Sequence, residues 1–364
     1  MQNAQSSQQL YTSYGSRYRV ALVHKNLATQ RGLSHIGLGV AALNSAKVLQ
    51  TAGVAVDVWT VATAADLQSH IAAAIKDATN PHVPPLTHVI VSAPWILTAD
   101  WVRILSLFRT IQFSVVCHSN LPFLNADPQA VQLMRDALMM EQGYLNFQTA
   151  GNSEKFNHFI RTTYQRRCWF LPNLYHLDET TQFNRPAYSG GTLRLGCFGA
   201  NRVLKNATTA GAAALELAAR LRVDMELYVN SGRNEGGNMQ SLRELFAGVR
   251  NAKLVEIGWE SWPQFRATIS HMDLLLQPSF TESFNMVTAD GIAEGVPSIV
   301  GEAIEWAPPS WKANVEDTQS VVKTAIQVLH DRDAATDGFL ALQAYVAKGL
   351  EAYLHYFRAT TPHF

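Results

Sequence analysis

From residue 18 onward, the chain alternates between short apolar runs and longer amphipathic stretches. The runs YRVALVHK (18–25), VAVDVWTV (54–61) and THVIVSAP (87–94) have few polar interruptions, a pattern typical of strands buried on both faces. The stretches between them carry apolar residues every three or four positions, which predicts amphipathic helices. Regular alternation of strand and helix predicts a doubly wound parallel sheet of α/β class.

The alternation stops once, in a polar segment that contains Pro186 and the pair Gly190–Gly191, and restarts at residue 193. A chain of 364 residues is also longer than one compact core usually organises. We therefore predict two tandem Rossmann-like domains that face each other across a cleft. The predicted parts are a flexible tail (1–17), an N-terminal domain (18–175), a linker (176–192), a C-terminal domain (193–337) and a last helix at about 338–364 that joins the N-terminal domain.

Composition narrows the class of protein. Lysine plus arginine and aspartate plus glutamate number 29 each, so no global field favours nucleic acid or an anionic membrane. The three cysteines lie in or beside apolar runs without a Cys-x-x-Cys pair, which argues for reduced thiols and against zinc. The polar N-terminus does not resemble a signal peptide, and no apolar run reaches the ~18 residues of a membrane span. We expect a cytoplasmic protein, or one peripheral to a membrane, with no integral membrane segment.

The stretch LQPSFTESFN (276–285) places an acid at a predicted strand-to-helix junction. A helix is predicted to begin near Ser283, so the backbone N–H groups of Ser283, Phe284 and Asn285 would suit a phosphate or a sugar hydroxyl. Glu282 stands beside them, and Asp290 follows eight residues later, on the same side of a helix. The two carboxylates would suit the hexose and ribose of a nucleotide sugar. Alternatively, they only complement the helix dipole.

A second motif, FGANRVLKNATTA (198–210), puts Arg202 and Lys205 between a strand and the next helix. Arginine can bind two phosphate oxygens at once, and lysine supplies a point charge. Asn206 or Thr208 would cap that helix, whose positive dipole end favours anions. The loop therefore predicts a diphosphate clamp that needs no metal. Two basic residues alone would more often be solvent-exposed charges without a binding role, but the acids in the same domain favour a binding site.

Together, the 198–210 motif and PSFTESFNMVTADGIAEGVPSIV (278–300) resemble the donor-binding half of GT-B glycosyltransferases of the family 4 type. The resemblance covers 193–301 and, more weakly, 18–175. It implies a hexosyl- or related transferase with a nucleotide-diphosphate sugar as co-substrate, no cofactor, no metal, and retention of configuration. It also implies that Arg202 and Lys205 hold the donor diphosphate and that Glu282 contacts the donor sugar, beside the amides of Ser283, Phe284 and Asn285. Asp290 departs from the family pattern, which has a second glutamate there as the ribose ligand.

In the first domain, the resemblance assigns roles to two residues. His118, at the end of FSVVCHSN (113–120), is similar to a family histidine that faces the transferred sugar. An imidazole there could bind a sugar hydroxyl, or it could be satisfied by backbone at a strand end. Gly37 matches a glycine in the first loop of the family, where a missing side chain admits the ligand. His24, Trp259 and Trp262 are weaker candidates for the pocket and the donor base.

A dinucleotide-binding interpretation is the rival for the same region, because GLGVAA (37–42) fits the G-x-G-x-x-A string. That fingerprint requires a tight turn directly between strand and helix. Here the first strand should end near Lys25, well before Gly37, and the acidic candidate Asp57 lies inside the second strand. The pattern therefore argues against an NAD enzyme.

Two alternatives to a working glycosyltransferase stay open at this stage. One is a catalytically inactive GT-B-like binding or scaffold subunit, which the departure at Asp290 would fit. The other is a transferase that acts on modified nucleobases in DNA, against which the balanced net charge argues. The acceptor is unidentified: a sugar, a lipid-linked glycan, a small molecule and a modified nucleobase are all compatible with the sequence.

Overall fold

The computed structural model describes residues 17–26, 37–124, 128–178, 187–233, 235–237 and 239–361. The predicted tail over 1–17 lies outside the described residues except for Arg17, and so do residues 179–186 of the predicted linker. The chain divides into two compact units. The first unit ends at His176 and resumes at Val346, and the second unit spans Leu177–Tyr345.

The first unit contains a parallel sheet with the strand order β2-β1-β3-β4-β5-β6. Its strands are β1 (Arg19–Lys25), β2 (Ala55–Val61), β3 (Leu86–Ser92), β4 (Gln112–Cys117), β5 (Phe147–Gly151) and β6 (Trp169–Phe170). Every residue of β4 is buried, because helices cover both faces of a doubly wound sheet. The predicted parallel sheet is therefore confirmed in this unit.

The helices of the first unit alternate with these strands. They are α1 (Gly37–Thr51), α2 (Ala64–Asp77), α3 (Thr98–Leu107), α4 (Leu121–Leu124), α5 (Pro128–Met140) and α6 (Glu154–Tyr164). Thr63 and Asp66 form a reciprocal capping box at the start of α2. Gly53, with a φ of +84°, follows α1 where the sequence predicts a glycine end signal.

The second unit contains a parallel sheet with the order β11-β10-β7-β8-β9. Its strands are β7 (Leu193–Cys197), β8 (Met225–Asn230), β9 (Ala252–Ile257), β10 (Leu274–Gln277) and β11 (Ser298–Val300). Its helices are α7 (Ala207–Leu221), α8 (Met239–Phe246), α9 (Trp262–Ser270), α10 (Met286–Ala293) and α11 (Thr318–His330). The second unit also contains two 3-10 turns, Val203–Lys205 and Pro309–Trp311.

The last helix, α12 (Ala334–Thr360), contributes residues to both units. Its C-terminal part brings Tyr356 and Phe357 into the core of the first sheet, where the two aromatic rings lie 5.5 and 4.9 Å from the ring of His88. None of the helices in the described ranges is long and apolar enough to cross a membrane.

The structure also bears on the dinucleotide-binding interpretation. Strand β1 ends at Lys25, whereas Gly37 and Gly39 lie in α1, so neither glycine directly follows the strand as the fingerprint requires. Asp57 lies within β2, where it accepts a 2.8 Å hydrogen bond from Nε of Arg19 on the adjacent strand. The carboxylate that a ribose would need is thus engaged in an ion pair between strands.

Candidate functional site

The order of the second sheet decides which loops meet. Strand β7 lies between β10 and β8, so the loop that follows β7 lies between the loops that follow those two strands. Ligands of open parallel sheets bind beyond the carboxyl ends of the strands. The loop after β7 carries Arg202 and Lys205, and its neighbours decide what each of these cations contacts.

Local backbone geometry fixes the loop after β7. Gly199 has a φ of +113°, and its N–H donates to Oδ1 of Asn230 at 2.9 Å. A 3-10 turn, Val203–Lys205, then follows Arg202. It is closed by a 3.0 Å hydrogen bond from the Lys205 N–H to the Arg202 carbonyl. Asn206 occupies the N-cap position of α7 but makes no side-chain cap bond; its amide instead donates to the carbonyls of Pro278 and Val315, at 3.2 and 2.9 Å.

On the β10 side, the structure joins the two predicted motifs. Nζ of Lys205 lies 2.5 Å from Oε1 of Glu282, and the Asn285 side-chain amide donates to the same oxygen at 3.0 Å. The Glu282 side chain is 10% exposed and that of Lys205 22% exposed, so water screens this pair only in part. A further bond runs from the Phe280 N–H to the Leu204 carbonyl at 3.0 Å. Three predicted site residues therefore meet in one cluster.

The prediction that a helix begins near Ser283 was wrong. Helix α10 begins at Met286, and Glu282, half-buried Ser283 and Phe284 precede it in a loop. Asn285 is the N-cap residue, with a φ of +72° and a side-chain oxygen that accepts the Thr288 N–H at 2.9 Å.

Aromatic packing accounts for the late start of this helix. The ring of Phe284 is 1% exposed and lies 5.2 Å from the ring of Trp306 and 5.5 Å from that of Tyr345. The Phe284 carbonyl accepts the Trp306 indole N–H at 2.7 Å, so this carbonyl is engaged outside the helix. Phe284 is thus a packing residue by its side chain, and the ligand role of its backbone amide stays a prediction.

Asp290 lies inside α10 and is 2% exposed. Its Oδ1 accepts the indole N–H of Trp262 at 3.0 Å. Glu282 lies outside the helix, so the expectation that the two acids share one helical side does not hold. The role of Asp290 as a ribose ligand stays a prediction.

On the β8 side, Arg202 contacts residues that the sequence analysis missed. Nε of Arg202 donates to Oε2 of Glu235 at 2.5 Å, and Nε of Arg233 donates to Oε1 of the same carboxylate at 2.7 Å. Burial alone would raise the pKa of Glu235, but the charges and hydrogen bonds of Arg202 and Arg233 outweigh it and lower that pKa. A usable signal existed in NSGRNEGG (230–237), where two charged residues lie in the loop after a strand.

Close backbone packing places this second loop. The Asn201 carbonyl accepts the N–H groups of Glu235 and Gly237, at 2.8 and 3.1 Å, and its own N–H donates to the Arg233 carbonyl at 2.9 Å. A Cβ on Gly237 would lie 1.8 Å from Oδ1 of Asn201, so only glycine fits there. The guanidinium of Arg233 also lies over the ring of Trp259, 5.2 Å from its centre.

In the first unit, His118 follows the carboxyl end of β4. Strand pairing places Gly151 opposite Cys117, so Asn152 lies beside His118 and its Nδ2 is 3.0 Å from Nδ1 of the ring. Burial lowers the pKa of His118 to about 4, so the imidazole is neutral at neutral pH. As the amide is oriented, Nδ1 accepts and Nε2 carries the proton.

Two other predicted positions lie near the carboxyl end of β1. Burial lowers the pKa of His24, whose Nε2 is 3.0 Å from Oγ1 of Thr60. Gly37 is the first residue of α1, and a Cβ built on it would meet no described atom within 4 Å. None of the described residues therefore requires a glycine at position 37.

The three free cysteines fit the expectation of reduced thiols. Cys117 and Cys168 are buried, Cys197 is half-buried, and burial raises the pKa of the Cys117 thiol to about 11. Among the described residues, no group of three or more histidine, cysteine or acidic side chains is arranged to hold a metal ion.

The sequence matches no family model and no curated protein sequence. The structure, in contrast, is similar to solved structures over nearly its whole length. A UDP-forming trehalose-phosphate synthase from Burkholderia xenovorans is 12% identical, with a TM-score of 0.61, and the match covers 95% of this chain and 100% of that one. Sucrose-phosphate synthase from Thermosynechococcus elongatus is 16% identical, with a TM-score of 0.62 over 94% and 99% of the two chains.

A third structure, S. aureus TarM in complex with UDP, is 12% identical with a TM-score of 0.51, over 74% of this chain and 55% of that one. These neighbours are GT-B glycosyltransferases. Together with the two parallel sheets, they establish the GT-B fold for this chain. The fold class predicted from the sequence is therefore confirmed, whereas at these identities membership of family 4 stays a prediction.

Proposed function

We propose that this protein is a glycosyltransferase that transfers a sugar from a nucleotide-diphosphate sugar to an acceptor, with retention of configuration and without a metal. The observation that carries the proposal is the cluster of Lys205, Glu282 and Asn285. Two motifs that lie 77 residues apart in sequence supply, within one cluster, a cation for phosphate and a carboxylate for sugar hydroxyls.

The donor-side roles follow from this geometry. Lys205 and Arg202 would neutralise the charge that develops on the departing diphosphate, a stabilisation that is largest where water is excluded. Glu282 would accept hydrogen bonds from the hydroxyls of the donor sugar, and Asn285 would hold its carboxylate in place. Asp290 is 2% exposed and already accepts the Trp262 indole N–H through Oδ1, so we assign it the weakest role.

The first unit would contribute His118. Its neutral ring carries the proton on Nε2, so it would donate a hydrogen bond to a sugar hydroxyl without adding charge. Gly37 would leave room for the donor phosphate or the acceptor. The acceptor class stays open, and so does location in the cytoplasm or at a membrane surface.

Metal independence rests on the cations that the protein itself supplies. Arg202, Lys205 and Arg233 follow the ends of two adjacent strands, β7 and β8. Positive side chains can stabilise a diphosphate leaving group in the way that a bound cation would. We therefore expect donor binding to persist after exhaustive treatment with a metal chelator, which calorimetry would show.

The test is a panel of UDP-, GDP- and ADP-sugars offered to the full chain, with binding followed by calorimetry and sugar transfer by mass spectrometry. UDP-sugars come first in the panel because a neighbouring structure is named as UDP-forming. We expect Lys205→Ala to lose donor binding and transfer while the fold is retained. The matched control is Lys253→Ala, an exposed lysine 3.6 Å from Glu226 on the same sheet, which should behave as wild type.

Two results would contradict the proposal. Wild-type protein that binds none of the donors is not a glycosyltransferase of this kind. Binding without turnover across the panel and a set of sugar, lipid and nucleobase acceptors would favour the inactive binding subunit instead.

A further inference from the structure

Glu235 holds a position that two arginines create for an anion. Its carboxylate bonds Arg202 through Oε2 and Arg233 through Oε1, at 2.5 and 2.7 Å. Carboxylate and phosphate both present pairs of oxygens that guanidinium groups bind in the same geometry. The structure thus shows Arg202, a predicted diphosphate ligand, engaged with an internal carboxylate.

The arginine pair, Arg202 and Arg233, is held by contacts that do not depend on Glu235. Arg233 lies over the ring of Trp259, and its carbonyl accepts the Asn201 N–H at 2.9 Å. Arg202 precedes the 3-10 turn, with its carbonyl bonded to the Lys205 N–H at 3.0 Å. The backbone of both arginines, and the Arg233 guanidinium over Trp259, would therefore keep their place if the Glu235 side chain moved away.

Neither arginine is deeply buried, which leaves a route for an outside anion. The side chains of Arg202, Arg233 and Glu235 are 27%, 13% and 22% exposed. Beside them, the side-chain nitrogen of Asn201 is buried and has no hydrogen-bond partner within the described part of the chain. A buried N–H donor without an acceptor is costly unless a ligand satisfies it.

We propose that the carboxylate of Glu235 occupies the position of one phosphate of the donor diphosphate, and that the donor binds by displacing it from Arg202 and Arg233. This inference rests on the proposed function and adds two residues to it: Arg233 as a phosphate ligand, and Glu235 as an internal competitor. Glu235 thereby lowers the apparent affinity for the donor, because only chains with the carboxylate displaced can bind. No covalent bond is made or broken in this step.

The test compares binding of UDP, GDP and ADP to the full chain by calorimetry. Glu235→Gln removes the competing charge, and we expect the preferred nucleoside diphosphate to bind about fivefold to tenfold more tightly than to wild type. Glu256→Gln is the matched control, since that carboxylate also bonds an arginine, Arg243, at 2.6 and 2.8 Å in the same unit. An equal gain in both variants would reveal a general charge effect and overturn the inference.

Arg233→Ala should change the affinity for the nucleoside diphosphate in the opposite direction. Loss of one charge-assisted bond to phosphate should weaken binding about tenfold, and this variant decides the question if Glu235→Gln does not fold. Wild-type affinity in Arg233→Ala would overturn the inference.

Two further probes identify which phosphate is involved. The gain in Glu235→Gln should vanish with the nucleoside monophosphate if the arginine pair binds the second phosphate of the donor. A gain for inorganic phosphate alone, with unchanged diphosphate binding, would overturn the assignment to the donor. Binding of a nucleoside diphosphate with no effect of either variant refutes only this inference, whereas no nucleotide binding by any form refutes the proposed function as well.

Discussion

The carboxyl edges of the two sheets use different chemistry. In the second unit, the edge is lined by charges in pairs: Lys205 with Glu282, and Arg202 with Glu235. In the first unit, the corresponding edge presents imidazoles that bond neutral partners, His118 with Asn152 and His24 with Thr60.

Burial in the first unit and charge pairing in the second explain this contrast between the two edges. Burial lowers the pKa of His118 to about 4, whereas the paired carboxylate of Glu235 has a pKa below its usual value and stays charged. An edge with mutually neutralising charges can exchange an internal anion for an external one. An edge with neutral donors and acceptors can bind hydroxyls without bringing in a charge. The comparison favours phosphate recognition by the second unit and hydroxyl recognition by the first.

The largest expected effect is a loss of transfer activity when the charged edge of the second unit is changed. Glu282→Ala leaves Lys205 without its carboxylate partner and removes the acceptor proposed for the donor sugar. We expect the transfer rate to fall at least about 100-fold, measured as nucleoside diphosphate released from the preferred donor. Glu216→Ala is the control, because Glu216 bonds Arg220 on the surface of α7. Wild-type turnover in Glu282→Ala would remove the carboxylate from the mechanism.

The next largest expected effect concerns the pH dependence of folding stability, and it comes from His88, a neutral histidine of the first unit. His88 is fully buried among Tyr18, Tyr356 and Phe357, and burial lowers its pKa to about 3. Below pH 6.5 the unfolded chain takes up a proton that folded His88 does not bind until about pH 3, so stability falls as the pH falls. The loss due to His88 should be about 2 kcal/mol between pH 7 and pH 5, measured by denaturant unfolding.

His88→Phe should reduce that pH dependence. In this variant the hydroxyls of Thr87 and Thr360, which bond the imidazole in wild type, can both donate to the carbonyls of Arg19 and Tyr356, at 2.9 and 2.7 Å, so neither is orphaned by the change. A pH dependence that is as steep in His88→Phe as in wild type would show that His88 is not neutral in the folded chain. The first unfolding transition is the one to analyse, since two units need not unfold together.

The smallest expected effect is the fall in kcat/KM when His118 is replaced. His118→Gln should lower kcat/KM about tenfold, the cost of a weakened neutral hydrogen bond in the transition state. Because the folded pKa is about 4, the ring is neutral throughout the range from pH 5.5 to 8, and the ratio of wild-type to variant kcat/KM should be constant there. A ratio that changes through an inflection near pH 6.5 would mean that His118 titrates in the working range and that the edge is not neutral.

The candidate site was only partly predictable from local patterns. Lys205 and Glu282 were recognisable because each lies between a strand and the next helix, in a motif with a known chemical role. Arg233 and Glu235 carry the same kind of signal, but their importance depends on Arg202 lying opposite them. That contact follows from the strand order β7-β8, which no local pattern encodes.

The sequence by itself determined the alternation of strand and helix and the two parallel sheets, because hydrophobic periodicity is a local property set by burial. The GT-B class was implied by the resemblance of its motifs to a known family, not by that periodicity. Only the tertiary structure decided that α10 begins at Met286, that the Trp262 indole N–H donates to Asp290, and that Arg202 bonds Glu235. These outcomes depend on aromatic packing and on charges from segments far apart in sequence. Which carboxylate meets which cation is decided when the strands take their order, after the local elements are already specified.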